Sequence, residues 1–407
     1  MKPHCWVLVI IPCCKPNRNV AMKPLSMLHS ILTCFLCLST FAAERVPLLT
    51  MTPEEDPSRS LTVAALSSGR HAAEPSHDRE GARAPRIQTD PARLARIRAA
   101  KMPALTQPVL FHTPEADAIC SALEVFPPDN PWNQLVNVWP RHPHSDAIIA
   151  SIGREKPFRC NPDMGFVLVP PDQPRVPVKI VEYPAESDPG PFPVPENIPI
   201  EGWPAWHQRE NTNPPTLTEV QQRPANYEGD RHAIVVDPVN RMLYEFFTFG
   251  KTADGWAAGQ ASVFDLKSNK LRPTGWTSAD AAGLPIFPAV VRYDEIQRGQ
   301  VEHALRVTVT KTRREFISPA THFASRHDNA DYPRMGERIR LKQDFDISGF
   351  SPTVQAILKG LKRYGMFVAD NGIDWAISVA PDPRLPVLHE ELRKIKGADF
   401  EVVIAPE

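Results

Sequence analysis

The chain lacks an excess of charge of either sign. Its 407 residues include 46 Lys and Arg against 47 Asp and Glu, which gives a formal net charge of −1 at pH 7. A chain without a basic excess has no long-range attraction for nucleic acid or for an anionic membrane surface. We therefore expect neither of these as a partner.

The chain has few cysteines outside its first part. Of seven cysteines, only Cys120 and Cys160 lie beyond the leader described below. Two cysteines in an exported chain favour one disulfide, and closing a loop of about 40 residues would stabilise the fold by roughly 4 kcal/mol. Neither cysteine is followed by a nucleophile signature, so we do not expect a catalytic thiol.

The N-terminal apolar stretch is shorter than the roughly 20 residues that a membrane-spanning helix needs. This stretch, Leu25 to Phe41, follows Met22-Lys23 and leads into the small-residue exit Thr40-Phe41-Ala42. A basic start, an apolar run and such an exit are typical of a secretory signal peptide, with a membrane anchor as the alternative. We assign residues 1–43 to a leader and signal peptide, and predict a secreted or periplasmic protein that keeps no stable membrane insertion after cleavage.

The next segment has few residues that could form a hydrophobic core. Residues 44–107 are rich in Pro, Ala, Ser, Glu and Arg and hold almost no aromatic residue. Such a composition buries too little apolar surface to offset the entropy of ordering, so a disordered linker is expected. An acidic start at Asp90 followed by helical spacing predicts one exposed helix inside this linker. Residues 108–407 are then expected to form a single β-rich domain.

The β signal of that domain comes from about ten runs of β-branched and aromatic residues bounded by Gly, Pro, Asn and Asp. This pattern favours a mainly β fold, a β-sandwich or jelly-roll-like arrangement with a few peripheral helices, and α+β is the alternative. The predicted strands begin near residues 109, 165, 176, 232, 242, 261, 304, 338, 366 and 375.

Turns and helices are indicated at a few places. Asp237-Pro-Val-Asn-Arg and Asn371-Gly372 each predict a hairpin turn between neighbouring strands. Ser351 followed by proline predicts a helix N-terminus. Shorter helices are expected at Asp146–Ile152 and Leu388–Lys396.

No catalytic sequence motif occurs in the chain, so the candidate site residues depend on position. Asp230 and His232 project to the same face of a predicted strand, where the carboxylate would orient the imidazole as a general base. The next strand places Tyr244 or Glu245 close to this pair, and an inward-facing carboxylate needs a partner. The structural alternative is that Asp230 caps a loop and His232 fills a half-buried strand position.

Residues 275–306 bring several functional residue types into one segment. Trp276 offers a flat ring for a sugar, and His303 and Arg306 lie at the entrance of a strand, where side chains line clefts. Asp280, in Thr277-Ser278-Ala279-Asp280, is either a substrate-binding carboxylate or part of a helix capping box. Asp294-Glu295 are expected to be solvated on a short helical turn.

A loop near residue 322 carries metal-ligand residue types without a metal-ligand spacing. His322, His327 and Asp328 match no zinc signature. Calcium held by loop carboxylates and carbonyls is the alternative to no metal at all. We predict no metal ligands and no cofactor, with calcium as that alternative.

Four segments together carry a family resemblance. They are Asp129-Asn-Pro-Trp-Asn, Asp230-Arg-His, Gly275-Trp-Thr-Ser-Ala-Asp-Ala-Ala-Gly-Leu-Pro and Tyr364-Gly-Met-Phe-Val-Ala-Asp-Asn-Gly. Over residues 123–405 the chain resembles a family of secreted bacterial proteins that has no established activity and sometimes occurs with carbohydrate-binding modules. The resemblance implies a link to extracellular polysaccharide and supplies no catalytic residues. Phe287-Pro-Ala departs from the Pro and Gly that relatives commonly carry there.

The leading hypothesis is a secreted enzyme that acts on a polysaccharide. A glycoside hydrolase needs two carboxylates beside the scissile bond, for which Glu245 with Asp237, Asp280 or Asp294 are candidates. A polysaccharide lyase needs a base and a cation, a description that fits His232 or His303 with Tyr244 and Arg306.

The alternative is a non-catalytic carbohydrate-binding or surface-matrix protein. Its binding surface would be an exposed platform of Trp132, Trp276 and Trp375. The two hypotheses differ in whether His232, Glu245, His303 and Asp280 converge in a cleft or lie dispersed.

Overall fold

The computed structural model describes residues 88–205, 213–223 and 229–406. The predicted leader (1–43) and residues 44–87 of the predicted linker lie outside the described residues. The helices are α1 (Pro91–Ala99), α2 (Pro114–Ala122), α3 (Ser145–Ile152), α4 (Leu217–Gln221), α5 (Tyr293–Arg298), α6 (Pro352–Arg363) and α7 (His389–Leu392). The strands are β1 (Val109–Leu110), β2 (Arg159–Pro162), β3 (Val167–Leu168), β4 (Val178–Ile180), β5 (Ala233–Asp237), β6 (Met242–Phe247), β7 (Gly250–Thr252), β8 (Gly255–Ala258), β9 (Gln260–Asp265), β10 (Leu305–Val309), β11 (Arg338–Leu341), β12 (Met366–Asn371), β13 (Ala376–Val379) and β14 (Phe400–Val403).

One sheet, called sheet A, has the strand order β1-β3-β5-β6-β9. The hairpin between β5 and β6 is the predicted one. Asp237 Oδ1 accepts hydrogen bonds from the backbone N–H groups of Val239 (3.1 Å) and Asn240 (2.8 Å). This aspartate therefore stabilises the turn, and its carboxylate is committed to the backbone. β3 pairs parallel to β5, so the sheet is mixed.

The second sheet, sheet B, has the order β14-β11-β12-β10-β13-β2. β10 pairs parallel with β12 on one side and antiparallel with β13 on the other. β12 and β13 are therefore separated by a strand, and the predicted Asn371-Gly372 hairpin is wrong. The dipeptide instead crosses over the end of β10, where Gly372 N–H donates to the carbonyl of Val309 at 3.0 Å.

The architecture is mixed α+β. Three mixed sheets (the third is β4-β8-β7) combine with helices within the described residues. The largest core cluster unites sheet B with the apolar faces of the helices, including Ile119 of α2 and Ile357 and Leu361 of α6. A second cluster, with Val235, Phe246 and Trp256, covers the opposite face of sheet A. The strands were expected to dominate because fully buried parallel strands and sandwich strands look alike in sequence.

The folded body begins earlier than residue 108. Asp90 caps α1 by accepting from the N–H groups of Ala92 (3.1 Å) and Arg93 (3.2 Å), as its sequence predicts. Its other oxygen accepts from Arg363 Nη2 (2.6 Å) and from the hydroxyl of Tyr364 (2.9 Å). Arg93 and Ile97 are buried. Residues 88–107 are thus part of the domain, and the expected linker boundary is wrong for them.

The expected disulfide is not formed. Cys120 in α2 and Cys160 in β2 are both free and buried. Burial raises the pKa of each thiol, that of Cys160 to about 12. Both thiols therefore act as small apolar side chains of the core. Within the described ranges, no helix combines the length and apolar character needed to cross a membrane.

Candidate active site

A network of buried charges lies where sheets A and B meet. Asp280, on the loop that connects the two sheets, binds Arg306 of β10 with both carboxylate oxygens, and the Nε–Oδ2 distance is 2.7 Å. Arg306 Nη1 also donates to Ser378 Oγ of β13 at 2.7 Å. Asp280 is fully buried and Arg306 is 4% exposed. Such a pair needs this bidentate geometry to offset desolvation.

His232 belongs to the same network as a cation. Its Nδ1 lies 3.1 Å from Glu201 Oε2, and its Nε2 lies 2.8 Å from the carbonyl of Ala279. Burial alone would lower the pKa of His232, but the carboxylates of Glu201, Asp230 and Asp280 raise it to about 10. Both ring nitrogens therefore carry hydrogens and donate. The imidazolium anchors the 279–280 loop and cannot act as the general base that the sequence suggested.

Glu245 and Tyr244 point to opposite sides of β6. Glu245 is fully buried and accepts from the backbone N–H groups of Ile286 (2.9 Å) and Phe287 (2.7 Å). Burial raises the pKa of Glu245 to about 7, although these two N–H groups lower it. Tyr244 lies in the second core cluster, and its hydroxyl accepts from Arg175 Nη2 at 2.8 Å. Glu245 thus fixes the loop after Asp280, and Tyr244 is remote from it.

Above this network opens a cleft of about 200 Å³. Its walls come from the segment before β5, the loop after residue 276, the loop around residue 322 and the end of β12. The lining side chains include two carboxyls, one imidazole and two aromatic rings: Asp230, Asp370, His322, Tyr183 and Phe247. Tyr183 and Phe247 pack with ring centroids 6.3 Å apart. Among the described residues that line the cleft there is no lysine or arginine.

Asp370 connects the cleft to the buried network. Its Oδ1 accepts from the N–H of Asn371 (2.6 Å), its Oδ2 accepts from the N–H of Ala281 (3.3 Å), and Oδ2 lies 4.0 Å from Arg306 Nη2. Burial and then the negative charge of Asp280 raise the pKa of Asp370 to about 8, against the opposing effect of Arg306. Asp370 therefore carries a proton at neutral pH while its side chain remains 17% exposed.

His322 and Asp230 supply the other titratable groups of the cleft. His322 Nδ1 lies 2.7 Å from the carbonyl of Ala281. Because a carbonyl only accepts, Nδ1 of His322 carries a hydrogen and donates it to this carbonyl. Asp230 is exposed, and partial desolvation by the surrounding protein raises its pKa, although His232 lowers it. The cleft thus combines the protonated carboxyl of Asp370 with the exposed carboxyl of Asp230.

The structure brings together five of the predicted site residues and leaves five elsewhere. Asp230, His232, Glu245, Asp280 and Arg306 meet around the cleft. His303 and Tyr244 lie apart, and the three tryptophans do not form a platform. Trp132 and Trp375 are 2% and 0% exposed, and Trp375 Nε1 donates to the carbonyl of Gly153. Half-buried Trp276 instead packs under the guanidinium of Arg272, 5.5 Å from its ring.

Two structural expectations within residues 275–306 are wrong. No helix begins at Ser278, and the Asp280 side chain binds Arg306 instead of capping. Asp294 and Glu295 are 4% and 1% exposed, with ion pairs to Arg292. Short acidic runs are usually solvated, and only the tertiary partners bury these two.

The two loop histidines have different surroundings. His322 faces the cleft, whereas His327 lies on the exposed part of the loop with its ring 5.3 Å from that of Tyr332. Among the described residues, no group of three or more His, Cys, Asp or Glu side chains is placed to hold a metal ion.

Sequence reasoning missed the roles of several residues. Glu201 gives no local signal, because it lies in a proline-rich stretch and reaches His232 only through the fold. Asp370 was missed because the adjacent Asn371-Gly372 indicated a hairpin turn and so explained this segment structurally. Tyr183 and Phe247, not the tryptophans, are the aromatic residues that line the cleft. Comparisons of the chain with family models, with curated proteins and with solved structures found no match.

Proposed function

We propose that this protein is a secreted glycoside hydrolase that cleaves a polysaccharide in the cleft lined by Asp370, Asp230 and His322. The observation that carries the proposal is that one cleft is lined by a partly buried carboxyl, an exposed carboxyl and two aromatic rings. Hydrolysis of a glycosidic bond uses two carboxyl groups in different protonation states. The resemblance to secreted proteins associated with carbohydrate-binding modules agrees with this assignment.

Asp370 is the proton donor of the proposed reaction. It transfers its proton to the glycosidic oxygen as the bond to the anomeric carbon breaks. A water molecule attacks that carbon and loses its proton to Asp230, so that the products are two sugars with one new reducing end. Asp280 and Arg306 are positioning residues, since Asp280 keeps Asp370 protonated and Arg306 holds Asp280.

The electrostatics of the cleft favour hydrolysis over lyase chemistry. A lyase must neutralise the carboxylate of a uronate, and no lysine or arginine is present among the described lining residues. Arg306 is committed to Asp280 and Ser378 beneath the surface. A uronate would instead face Asp230, so the expected substrate is a neutral or cationic polysaccharide.

The alternative of a flat lectin-like platform loses its main support, because Trp132 and Trp375 are core residues. A binding protein would have to rely on Tyr183 and Phe247 alone. That pair is large enough to stack on one sugar ring, and it serves equally well as a substrate-binding wall of the hydrolase.

The test is a screen of the purified protein against a panel of neutral, cationic and uronate-containing polysaccharides. Reducing ends report hydrolysis, and ultraviolet absorbance of unsaturated uronates reports lyase products. We expect reducing ends from a neutral or cationic polysaccharide, and their loss in Asp370→Asn but not in Asp344→Asn, a control at an exposed aspartate. Unsaturated products, or equal activity of Asp370→Asn and wild type, would contradict the assignment.

A further inference from the structure

A second buried group of charges surrounds a small cavity between α1, α2 and α5, outside the proposed active site. Four arginines reach its walls: Arg93 and Arg96 from α1, and Arg292 and Arg298 from the α5 region. Apolar side chains, among them Ile97, Leu123, Val125 and Trp132, share the other walls with polar ones such as Asn133. Low polarity around the cavity strengthens any electrostatic interaction inside it.

The positive charges outnumber the negative ones. Three carboxylates face the four guanidinium groups. Asp294 accepts from Arg298 Nη1 at 2.6 Å, Glu295 lies 2.9 Å from Arg292 Nη2, and Glu302 accepts from Arg96 Nη2. Each carboxylate is thus already engaged by an arginine. His303 adds no negative charge: its Nδ1 donates to the carbonyl of Ala304, and its Nε2 lies 2.9 Å from Glu295 without hydrogen-bond alignment.

Arg93 is the arginine without a directly paired carboxylate. It is only 7% exposed, and within the described part of the chain its guanidinium makes no hydrogen bond and no ion pair. A largely buried cation is stabilised by nearby negative charge. Glu302 and Glu295 act on Arg93 only at longer range.

Apart from Nε2 of His303, the unmet hydrogen-bonding groups around the cavity are donors. The Nε–H of Arg96 is buried and has no acceptor in the described structure. Nε of Arg298 lies 3.7 Å from Glu302, and Nε of Arg292 lies 3.4 Å from Asp294, both without hydrogen-bond alignment. A negatively charged hydrogen-bond acceptor would therefore complement these donors. The cavity measures about 20 Å³, enough for one particle of roughly water size and too small for a tetrahedral oxyanion.

From this arrangement we infer that the arginine cavity binds one small monatomic anion, with chloride as the physiological example. The anion accepts from the unmatched Arg93 and from the free Nε–H groups, and it fixes α1 against α2 and α5. This site is independent of the proposed glycoside hydrolase activity.

The test compares the thermal stability of the full chain in chloride with that in gluconate at equal ionic strength. A ligand that binds only the folded state raises the midpoint, and we expect a shift of roughly 3 °C in chloride. Arg93→Met should abolish the shift, whereas Arg98→Met, an exposed arginine on the same helix, should retain it. Equal midpoints in the two salts for wild type, or an undiminished shift in Arg93→Met, would overturn the inference.

A second measurement does not depend on how the variants fold. Crystals of the wild-type protein grown with bromide should show an anomalous peak between Arg93 and Arg298. A crystal structure without that peak, with only a water there, would equally overturn the anion site.

Discussion

The two buried charge groups of this protein have opposite balances. Beneath the cleft, each cation has its own acid, Asp280 for Arg306 and Glu201 for His232, and acids are left over. In the arginine cavity each carboxylate has its own arginine, and a guanidinium is left over. The sign of the excess charge determines which ion each group can bind. Unmatched acids keep protons, and an unmatched guanidinium attracts an anion.

The sharpest contrast is between two buried arginines. We expect Arg306→Gln to lower the free energy of unfolding by about 3–5 kcal/mol, because it leaves Asp280 buried without its counter-charge. Arg93→Met should cause no loss in chloride-free buffer, because no carboxylate loses a hydrogen-bonded partner. Urea unfolding in gluconate measures both. A comparable loss of unfolding free energy in the two variants would contradict this contrast between the two arginines.

The pH dependence of stability tests the cationic state of His232. Its pKa rises from 6.5 when unfolded to about 10 in the fold, so the stabilisation is complete below about pH 6.5 and is lost as the pH rises toward 10. The wild type should lose a few kcal/mol over this window. His232→Gln, unfolded in urea at matched pH values, should lack that component. The same slope in both proteins would show that His232 is neutral.

The proton on Asp370 should be visible in the pH profile of the proposed activity. Because the acid must be protonated to act, kcat/KM should fall as the pH rises through about 8, where Asp370 ionises. The loss should be about tenfold for each further pH unit. Steady-state rates on the substrate found in the panel measure it, and a profile that stays flat through this range would remove Asp370 from the role of proton donor.

The smallest expected effect concerns the acid side of the arginine cavity. Glu302→Gln removes one of the three carboxylates, so chloride should bind roughly threefold to tenfold more tightly. Thermal midpoints over a chloride titration give the affinity. Weaker binding in this variant would mean that Glu302 holds the arginines in place more than it opposes the anion.

Local sequence patterns predicted the positions of the strands and helices well and the pairing between strands poorly. The runs at Met242–Phe247 and Arg338–Leu341 and the helix capped by Ser351 lie where the sequence indicates them, since alternation, capping and turn residues act over short range. The insertion of β10 between β12 and β13 has no local signal. Parallel strand pairing joins distant segments, and Asn371-Gly372 has the same local sequence in a crossover as in a hairpin.

The candidate site was predicted by residue type more than by role. Asp230, His232, Glu245, Asp280 and Arg306 do converge. Their tasks depend on partners that the sequence does not reveal, such as Glu201 for His232 and the backbone of residues 286–287 for Glu245. The disulfide prediction failed for the same reason, because pairing two cysteines requires a distance that only the fold sets.

The strand order of sheet B has a consequence for the biosynthesis of the protein. Asp280, Arg306, Asp370 and Ser378 reach one another only after β10 has been enclosed by β12 and β13. A nascent chain that stops before β13 therefore lacks the Ser378 hydroxyl that accepts from Arg306. Translation products that end before β13 therefore cannot complete the charged network beneath the cleft.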